Sequence, residues 1–138
     1  SLTEFDSNKI KYFSGEARYI IDFNVPSEYA NNDNPIYLDL NVFKTTGEVK
    51  LNDHFLRNIW TSDVSIPVNG LLKEHNRLEV IAATTNRNRL IGDIRETGHL
   101  NGIWTSHVGV KVTSNLDTSG LAGPLQLIKY SSVQAITK

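Results

Sequence analysis

Residues 76–93 read NRLEVIAATTNRNRLIGD, and the predicted fold depends on the change of pattern within this stretch. Leu78, Val80 and Ala82 stand two residues apart and alternate with Glu79, which is the period of a strand with one face towards a core. Residues 84–89 are then six polar side chains in succession. A scaffold strand therefore leads into a polar loop, and the rest of the chain can be interpreted outward from that strand.

The alternating pattern recurs on both sides of this stretch, with turn-forming residues between the segments. Apolar rows of this kind predict strands in residues 10–13, 17–25, 36–42, 47–51, 55–60, 64–68, 108–112 and 125–128. About eight to ten short strands separated by Asn, Gly, Pro and Ser are typical of an antiparallel sandwich or jelly roll. No long stripe with a helical period competes with them, and only a short helical turn near 28–30 is expected. The sequence predicts an all-β antiparallel β-sandwich of the jelly-roll type.

Three local signals refine this prediction. Asn52-Asp53 stands between two apolar segments and predicts a tight hairpin turn, because Asn and Asp tolerate a positive φ better than other non-glycine residues. Pro67 has no backbone N–H to donate, so its strand is expected at a sheet edge. Arg89 and Asp93 are expected to form an ion pair that ties the polar loop to itself.

The composition restricts the organisation of the chain and its partners. The 138 residues predict one domain over 1–130, followed by a tail or linker at 131–138. A formal net charge of −1 provides no field that would collect nucleic acid or a membrane surface. There is no Cys for disulfide or thiol chemistry, and no Met, so we expect a processed product or a piece excised from a larger protein. No apolar run approaches the ~20 residues of a membrane span.

Motifs for catalysis and metal binding are sparse. The four His residues stand too far apart for a chelating pair, and no nucleophile motif or phosphate-binding glycine loop occurs. Asp93 and Glu96 would suit glycosidic acid/base chemistry across a cleft, but solvated or turn-capping carboxylates are the preferred interpretation. Oxygens at 31–34, Asp6 and Asp117 are of the kind that calcium binds, and turns use the same residues. Calcium is therefore the cofactor to consider, and both interpretations stay open.

Four side chains are candidates for contacts with carbohydrate. Trp60 and Trp104 each occur in an Ile-Trp-Thr-Ser tetrapeptide, and a Trp at a strand end can stack on the apolar face of a pyranose. Asn86 and Arg87 offer planar donors for sugar hydroxyls or for the carboxylate of a uronic acid, and they are expected to be freer than Arg89. The competing interpretation places both Trp side chains in the core or in an interdomain surface.

Four segments, taken in order, make the chain similar to a known family. They are YFSGEARYIIDF from Tyr12, YLDL from Tyr37, LLKEHNRLEV followed by NRLIGD from Asn88, and SGLAGPLQL from Ser119. The chain resembles the galactose-binding-like jelly-roll domains appended to bacterial glycoside hydrolases, in particular the sugar-binding domain of glycoside hydrolase family two and the C-terminal domain of family 106 α-L-rhamnosidases. NRLIGD with SGLAGP is the most specific part of this resemblance, which extends over nearly the whole chain.

The resemblance implies a non-catalytic accessory domain, extracellular or periplasmic. Domains of this family resemble carbohydrate-binding modules, or they pack on a catalytic domain and add a loop to its cleft, while the chemistry lies in another domain. The chain departs from the family at Asn52-Asp53, where relatives carry Asn-Gly, and at Ser62-Asp63, where they carry Pro-Tyr-like residues. It also has Asn86 where relatives have an aromatic residue, which favours recognition by hydrogen bonds or a purely structural loop.

These observations predict a carbohydrate-binding accessory module of a polysaccharide-degrading glycoside hydrolase. Trp60, Asn86 and Arg87 are the expected direct contacts, with Trp104 as a further platform. The expected partners are an oligosaccharide or polysaccharide and the catalytic domain of the parent enzyme, with neither nucleic acid nor a membrane. The alternative is a structural interdomain module that packs on a catalytic domain and has no ligand of its own.

Overall fold

The computed structural model describes residues 1–30, 34–60, 64–105 and 109–130. Within these residues the predicted all-β sandwich is confirmed, because strands dominate and every strand pairing is antiparallel. The strands are β1 (Glu16–Asn24), β2 (Ile36–Asp39), β3 (Phe43–Lys44), β4 (Thr46–Leu51), β5 (His54–Ile59), β6 (Ser65–Pro67), β7 (His75–Ala83), β8 (Gly120–Leu121) and β9 (Gln126–Lys129). The helices are α1 (Asn8–Lys11), α2 (Ser27–Ala30) and α3 (Arg87–Thr97), with a 3-10 turn at Leu2–Glu4.

The strands form three sheets around one core. The largest sheet has the order β1-β7-β4-β5, the second has the order β6-β2-β9, and β3 pairs with β8. β7 bonds to β1 over its full length and to β4 on its other side. The strand at the start of residues 76–93 is therefore an interior strand of the largest sheet. The inward residues of β7 and of the neighbouring strands share one apolar cluster with those of the second sheet, as two packed layers require.

Several elements predicted between residues 17 and 67 are confirmed. The alternation from 17 to 25 forms β1, whose exposed and half-buried residues alternate along its nine positions. The short helical turn predicted near 28–30 is α2. Pro67 ends β6 at the edge of the second sheet, as expected for a residue without a backbone donor.

The polar loop predicted for residues 84–89 is present only at 84–86, because residues 87–97 form a helix of 11 residues. Its buried residues are Asn88, Ile91 and Gly92, which lie three and four positions apart and therefore on one face. Ile91 is the only large apolar member of that stripe, so the helical period is hidden among Asn and Arg. Gly98, with φ of 78°, ends the helix in the left-handed conformation that favours glycine at this position.

Two further strand predictions are wrong. Residues 8–11 form α1, in which Ile10 and Lys11 both donate backbone bonds to the Ser7 carbonyl, so this segment bonds locally. Residues 109–119 form no strand, and Arg95 donates to the carbonyls of Val112 (3.0 Å) and Ser114 (2.8 Å) in place of a strand partner. The predicted strand residues His107 and Val108 lie outside the described part of the chain, as does the predicted tail at 131–138.

The hairpin predicted at Asn52-Asp53 is confirmed. Both residues adopt a positive φ, 51° for Asn52 and 66° for Asp53, between β4 and β5. The Asn52 side chain donates to the Leu71 carbonyl (2.8 Å) and to Asn76 Oδ1 (2.9 Å), and it accepts from the Arg77 amide (2.9 Å). Asn52 is thus fixed by its side chain, whereas Asp53 contributes mainly its backbone conformation.

We expect Asp53→Gly to raise the free energy of unfolding by about 0.5–1 kcal/mol, because glycine adopts a positive φ without the steric cost of a side chain. Urea denaturation monitored by circular dichroism measures the change. Asn52→Gly is the matched control, and it should lower stability because it removes the three side-chain bonds of Asn52. A lower stability of Asp53→Gly would contradict this account of the turn.

Candidate functional site

An open cavity of about 360 Å³ lies on the outer face of the four-stranded sheet, at one of its ends. β1 and β4 begin at this end, and β7 and β5 finish there, so residues distant in sequence become neighbours. The strand register sets two transverse rows across the sheet, because residues of successive antiparallel strands lie opposite each other. The two rows are Glu16, Ala83 and Thr46, and then Ile81, Glu48 and Asn58.

Trp60 closes this cavity on the β5 side. It follows Ile59, which is buried at 2% exposure, and the two-residue period of the strand turns the indole to the outer face. The Trp60 side chain is 73% exposed, which is unusual for the largest apolar side chain. Ile81 and Ala83 supply an apolar floor beside it. The cavity therefore combines an exposed aromatic surface with a partly apolar base.

The polar rim of the cavity is acidic. Glu16 and Glu48 are its ionisable lining residues, and Thr46 and Asn58 add neutral polar groups. Lys50 lies outside the lining and pairs with Glu48 at 2.6 Å, a hydrogen bond that raises the pKa of Lys50. The Arg18 guanidinium, on β1, lies 3.8 Å from the Glu79 carboxylate. Lys50 and Arg18 thus each face a carboxylate.

Asn86 and Arg87 lie near the same end of the sheet but have partners within the protein. The Ser14 hydroxyl bonds to Asn86 Oδ1 just before β1 begins. Arg87 Nε lies 2.9 Å from Asp117 Oδ2, and Asn88 exchanges two bonds of 2.8 Å with the Asp117 backbone. Asn86 and Arg87 thus connect the start of α3 to other segments, and both have partners as Arg89 does.

The separation between these residues and Trp60 follows from the sheet order. Ser14 and Asn86 lie beside the β1 edge, whereas Trp60 follows β5 at the opposite edge. Three strand intervals correspond to ~14 Å across the sheet, since neighbouring strands lie about 4.8 Å apart. Neither Asn86 nor Arg87 is among the described residues that line the Trp60 cavity.

The carboxylates of α3 have structural roles. The predicted ion pair between Arg89 and Asp93 is absent from the ion pairs of the described residues, and both side chains bind Asn101 instead. Arg89 donates to the Asn101 carbonyl at 3.0 Å, and Asp93 accepts from the Asn101 amide at 3.1 Å. Glu96 accepts a bond of 3.0 Å from the Asn8 side chain. These contacts hold the helix to the segments on either side of it.

Trp104 lies in the irregular segment after α3. Its side chain is 90% exposed, and it is not among the residues that line the Trp60 cavity. The two Ile-Trp-Thr-Ser tetrapeptides therefore occupy different surroundings, and their Ser residues lie outside the described ranges.

A larger open cavity of about 650 Å³ lies at the opposite end of the same sheet, but its polar side chains bond to one another. Arg77 donates to both carboxylate oxygens of Asp22 at 2.8 and 3.0 Å, which lowers the pKa of Asp22. His75 Nδ1 lies 2.7 Å from Asn24 Oδ1. This end offers no aromatic platform comparable to Trp60, so we assign it a structural role.

The described ranges contain neither clustered metal-binding side chains nor a helix suited to crossing a membrane. In residues 1–30, 34–60, 64–105 and 109–130, no group of three or more His, Cys, Asp or Glu side chains is placed to hold a metal ion. The calcium prediction rests largely on residues 31–33, which lie outside these ranges, and Asp117 is paired with Arg87. None of the helices in the same ranges combines the length and the apolar character that crossing a bilayer requires.

Comparison with known proteins connects the chain to glycoside hydrolases. A rhamnosidase from Novosphingobium sp. PP1Y superposes with a TM-score of 0.81 and 30% identity over 94% of this chain and 12% of the rhamnosidase. A protein from Formosa agariphila with the name "Putative beta-glucuronidase" is 34% identical over 94 residues, which are 67% of this chain and 8% of that protein. The Ruminococcus gnavus beta-glucuronidase matches 60% of this chain and 14% of its own at a TM-score of 0.53 and 18% identity, a likeness of fold alone. No family model matches.

The coverage in these comparisons is asymmetric. The chain spans about a tenth of the rhamnosidase and of the Formosa protein, while most of the chain is matched in both. The chain therefore corresponds to a domain-sized part of glycoside hydrolases, as the sequence resemblance predicts.

The rim residues Glu16, Thr46, Glu48 and Asn58 were not among the candidates from the sequence. Glu48 and Asn58 stand within predicted strands as polar residues, and Glu16 and Thr46 directly precede predicted strands, so the local pattern alone gives no reason to group them. Only the strand order and register reveal that these positions converge beside Trp60. A prediction that β4 pairs with β5 and with β7 would have identified these rim residues as neighbours.

Proposed function

We propose that the chain is a non-catalytic carbohydrate-binding accessory domain, of the galactose-binding-like type, from an extracellular or periplasmic polysaccharide-degrading glycoside hydrolase. The observation that carries the proposal is Trp60, which is 73% exposed beside a cavity with an apolar floor and a polar rim. The similarity to a small part of a rhamnosidase over 94% of this chain supports an accessory role.

The chemistry of the cavity suits a sugar. An indole offers a large rigid surface to the apolar face of a pyranose and loses little side-chain entropy when it binds. Carboxylate, amide and hydroxyl groups at the rim can bond to the sugar hydroxyls around that face. Asn86, Arg87 and Trp104 are proposed as outlying contacts, and Arg87 would then have to exchange its ion pair with Asp117 for the ligand.

Isothermal titration calorimetry of the 138-residue chain against plant and algal polysaccharides tests the proposal. We expect saturable binding to at least one polysaccharide at millimolar sugar or below, without release of reducing ends during prolonged incubation. No binding to any of them would contradict a carbohydrate-binding role, and release of reducing ends would contradict a non-catalytic one.

A second candidate function is a structural interdomain module, and the outer face of the large sheet favours it. Besides Trp60, Ile20 and Phe55 on this sheet are exposed by 54% and 55%. Such side chains are suited to packing against another domain. Hydroxyl-radical footprinting separates the two functions. Protection of Trp60 in the full-length enzyme relative to the isolated chain favours packing, and equal labelling favours an accessible sugar site.

A further inference from the structure

We infer that the Trp60 cavity binds a neutral pyranose on the face of the sheet, and that it discriminates against uronic acids. The inference rests on the proposed function and deepens it, because it assigns a site and a ligand class to the carbohydrate-binding role. It differs from the expectation drawn from the sequence, which placed the ligand on loops and allowed a uronic acid to pair with Arg87.

The position of Trp60 favours stacking over burial. The side chain lies at the end of β5, with 73% of its surface exposed, while the preceding Ile59 is buried and anchors the backbone. The backbone at Trp60 is therefore anchored, and the indole ring is accessible to a ligand. Ile81 and Ala83, on the central strand β7, extend the apolar surface that a pyranose ring can cover.

The rim supplies mainly hydrogen-bond acceptors. Glu16 and Glu48 carry carboxylates, which accept hydrogen bonds when ionised, and Asn58 adds one acceptor and a donor group. Hydroxyl groups of a neutral sugar are donors that such carboxylates bind strongly, because the bonds are charge-assisted. The rim residues stand on paired strands, which hold them more rigidly than loops would.

The same rim is unfavourable for a uronic acid. Among the described residues that line the cavity there is no Lys, Arg or His, and the two ionisable ones are Glu16 and Glu48. The nearby Lys50 and Arg18 are already paired with Glu48 and Glu79. A uronate carboxylate would meet the carboxylates of Glu16 and Glu48, and it could pair with Arg18 or Lys50 only in competition with Glu79 or Glu48. Like charges at an interface disfavour binding.

Affinity gel electrophoresis and calorimetry with the 138-residue chain test the inference. The neutral probes are galactomannan, xyloglucan and laminarin, and the uronate probes are alginate and polygalacturonate. We expect binding to at least one neutral probe and none to the uronate probes. Trp60→Ala should weaken that binding at least tenfold, Trp60→Phe should retain part of it, and Glu48→Gln should weaken it several-fold.

Phe55→Ala is the matched control, because Phe55 is also aromatic, exposed and on β5 but does not line the cavity. It should bind as the unmodified chain does. Equal or tighter binding of the uronate probes would overturn the ligand class. Binding that is unchanged in Trp60→Ala, with a folded circular dichroism spectrum, would overturn the site and leave the proposed function intact. No binding to any of the five probes would overturn both.

Discussion

Asn76→Ala should lower the free energy of unfolding by about 3 kcal/mol, because it removes several bonds to part-buried groups at once. The Asn76 side chain is 4% exposed at the start of β7. Its Oδ1 accepts from the Lys73 amide and from the Asn52 side chain, both at 2.9 Å, and its Nδ2 donates to the Lys73 carbonyl at 2.6 Å. Alanine leaves the Lys73 amide and carbonyl and the Asn52 side chain without these partners.

Urea denaturation measures this loss, with Asn24→Ala as the control. Asn24 is exposed on β1, one register position away from Asn76, and its side chain bonds only to His75 among the contacts described for it. We expect the control to lose less than about 1 kcal/mol, as exposed hydrogen bonds do. Similar losses for the two variants would show that Asn76 does not organise the turn before β7.

Gly47→Ala should destabilise the domain by about 3 kcal/mol, because β4 lies against β7 with no room for a side chain at this position. A Cβ atom on Gly47 would fall well inside contact distance of the Ile81 carbonyl oxygen, and it would lie 2.8 Å from Phe43 Cζ. Phe43 is 1% exposed, so neither the ring nor the backbone of the central strand can move away easily. The strands must separate, and thermal unfolding should occur at a markedly lower temperature.

Gly70→Ala is the control for Gly47→Ala, because it measures the backbone cost of alanine without steric overlap. Gly70 has a positive φ of 72° and no atom within 4 Å of an added Cβ, so its substitution carries only the conformational cost of about 1 kcal/mol. Gly47 has an ordinary strand conformation, so its cost is the overlap alone. A smaller loss for Gly47→Ala than for Gly70→Ala would contradict the close approach of β4 and β7.

The sequence predicts those parts of the fold that repeat a local pattern. β1 and β7 alternate over nine residues each, and the burial of their side chains follows that alternation. The turn at Asn52-Asp53 follows from the tolerance of these residues for a positive φ. Because each signal lies within a few residues, no knowledge of tertiary structure is needed to interpret it.

The parts that were predicted wrongly depend on contacts between distant segments. α3 has one large apolar side chain on its buried stripe. Its position is fixed by Asn88 and Arg87, which bond to Asp117, 29 residues after Asn88. The Trp60 cavity requires the register of four strands, which alternation within one strand cannot specify. Trp60 was a candidate from the sequence because a Trp at a strand end can stack on a pyranose, a signal that needs no strand pairing.

The central claim, that this domain binds carbohydrate through Trp60, is tested most directly by tryptophan fluorescence. In Trp104→Phe, Trp60 is the sole tryptophan of the chain, so its emission reports on the cavity alone. Titration with galactomannan, xyloglucan or laminarin should shift the emission maximum saturably to shorter wavelength with at least one of them, because stacking removes the indole from water. An emission spectrum that stays unchanged through all three titrations would contradict the claim.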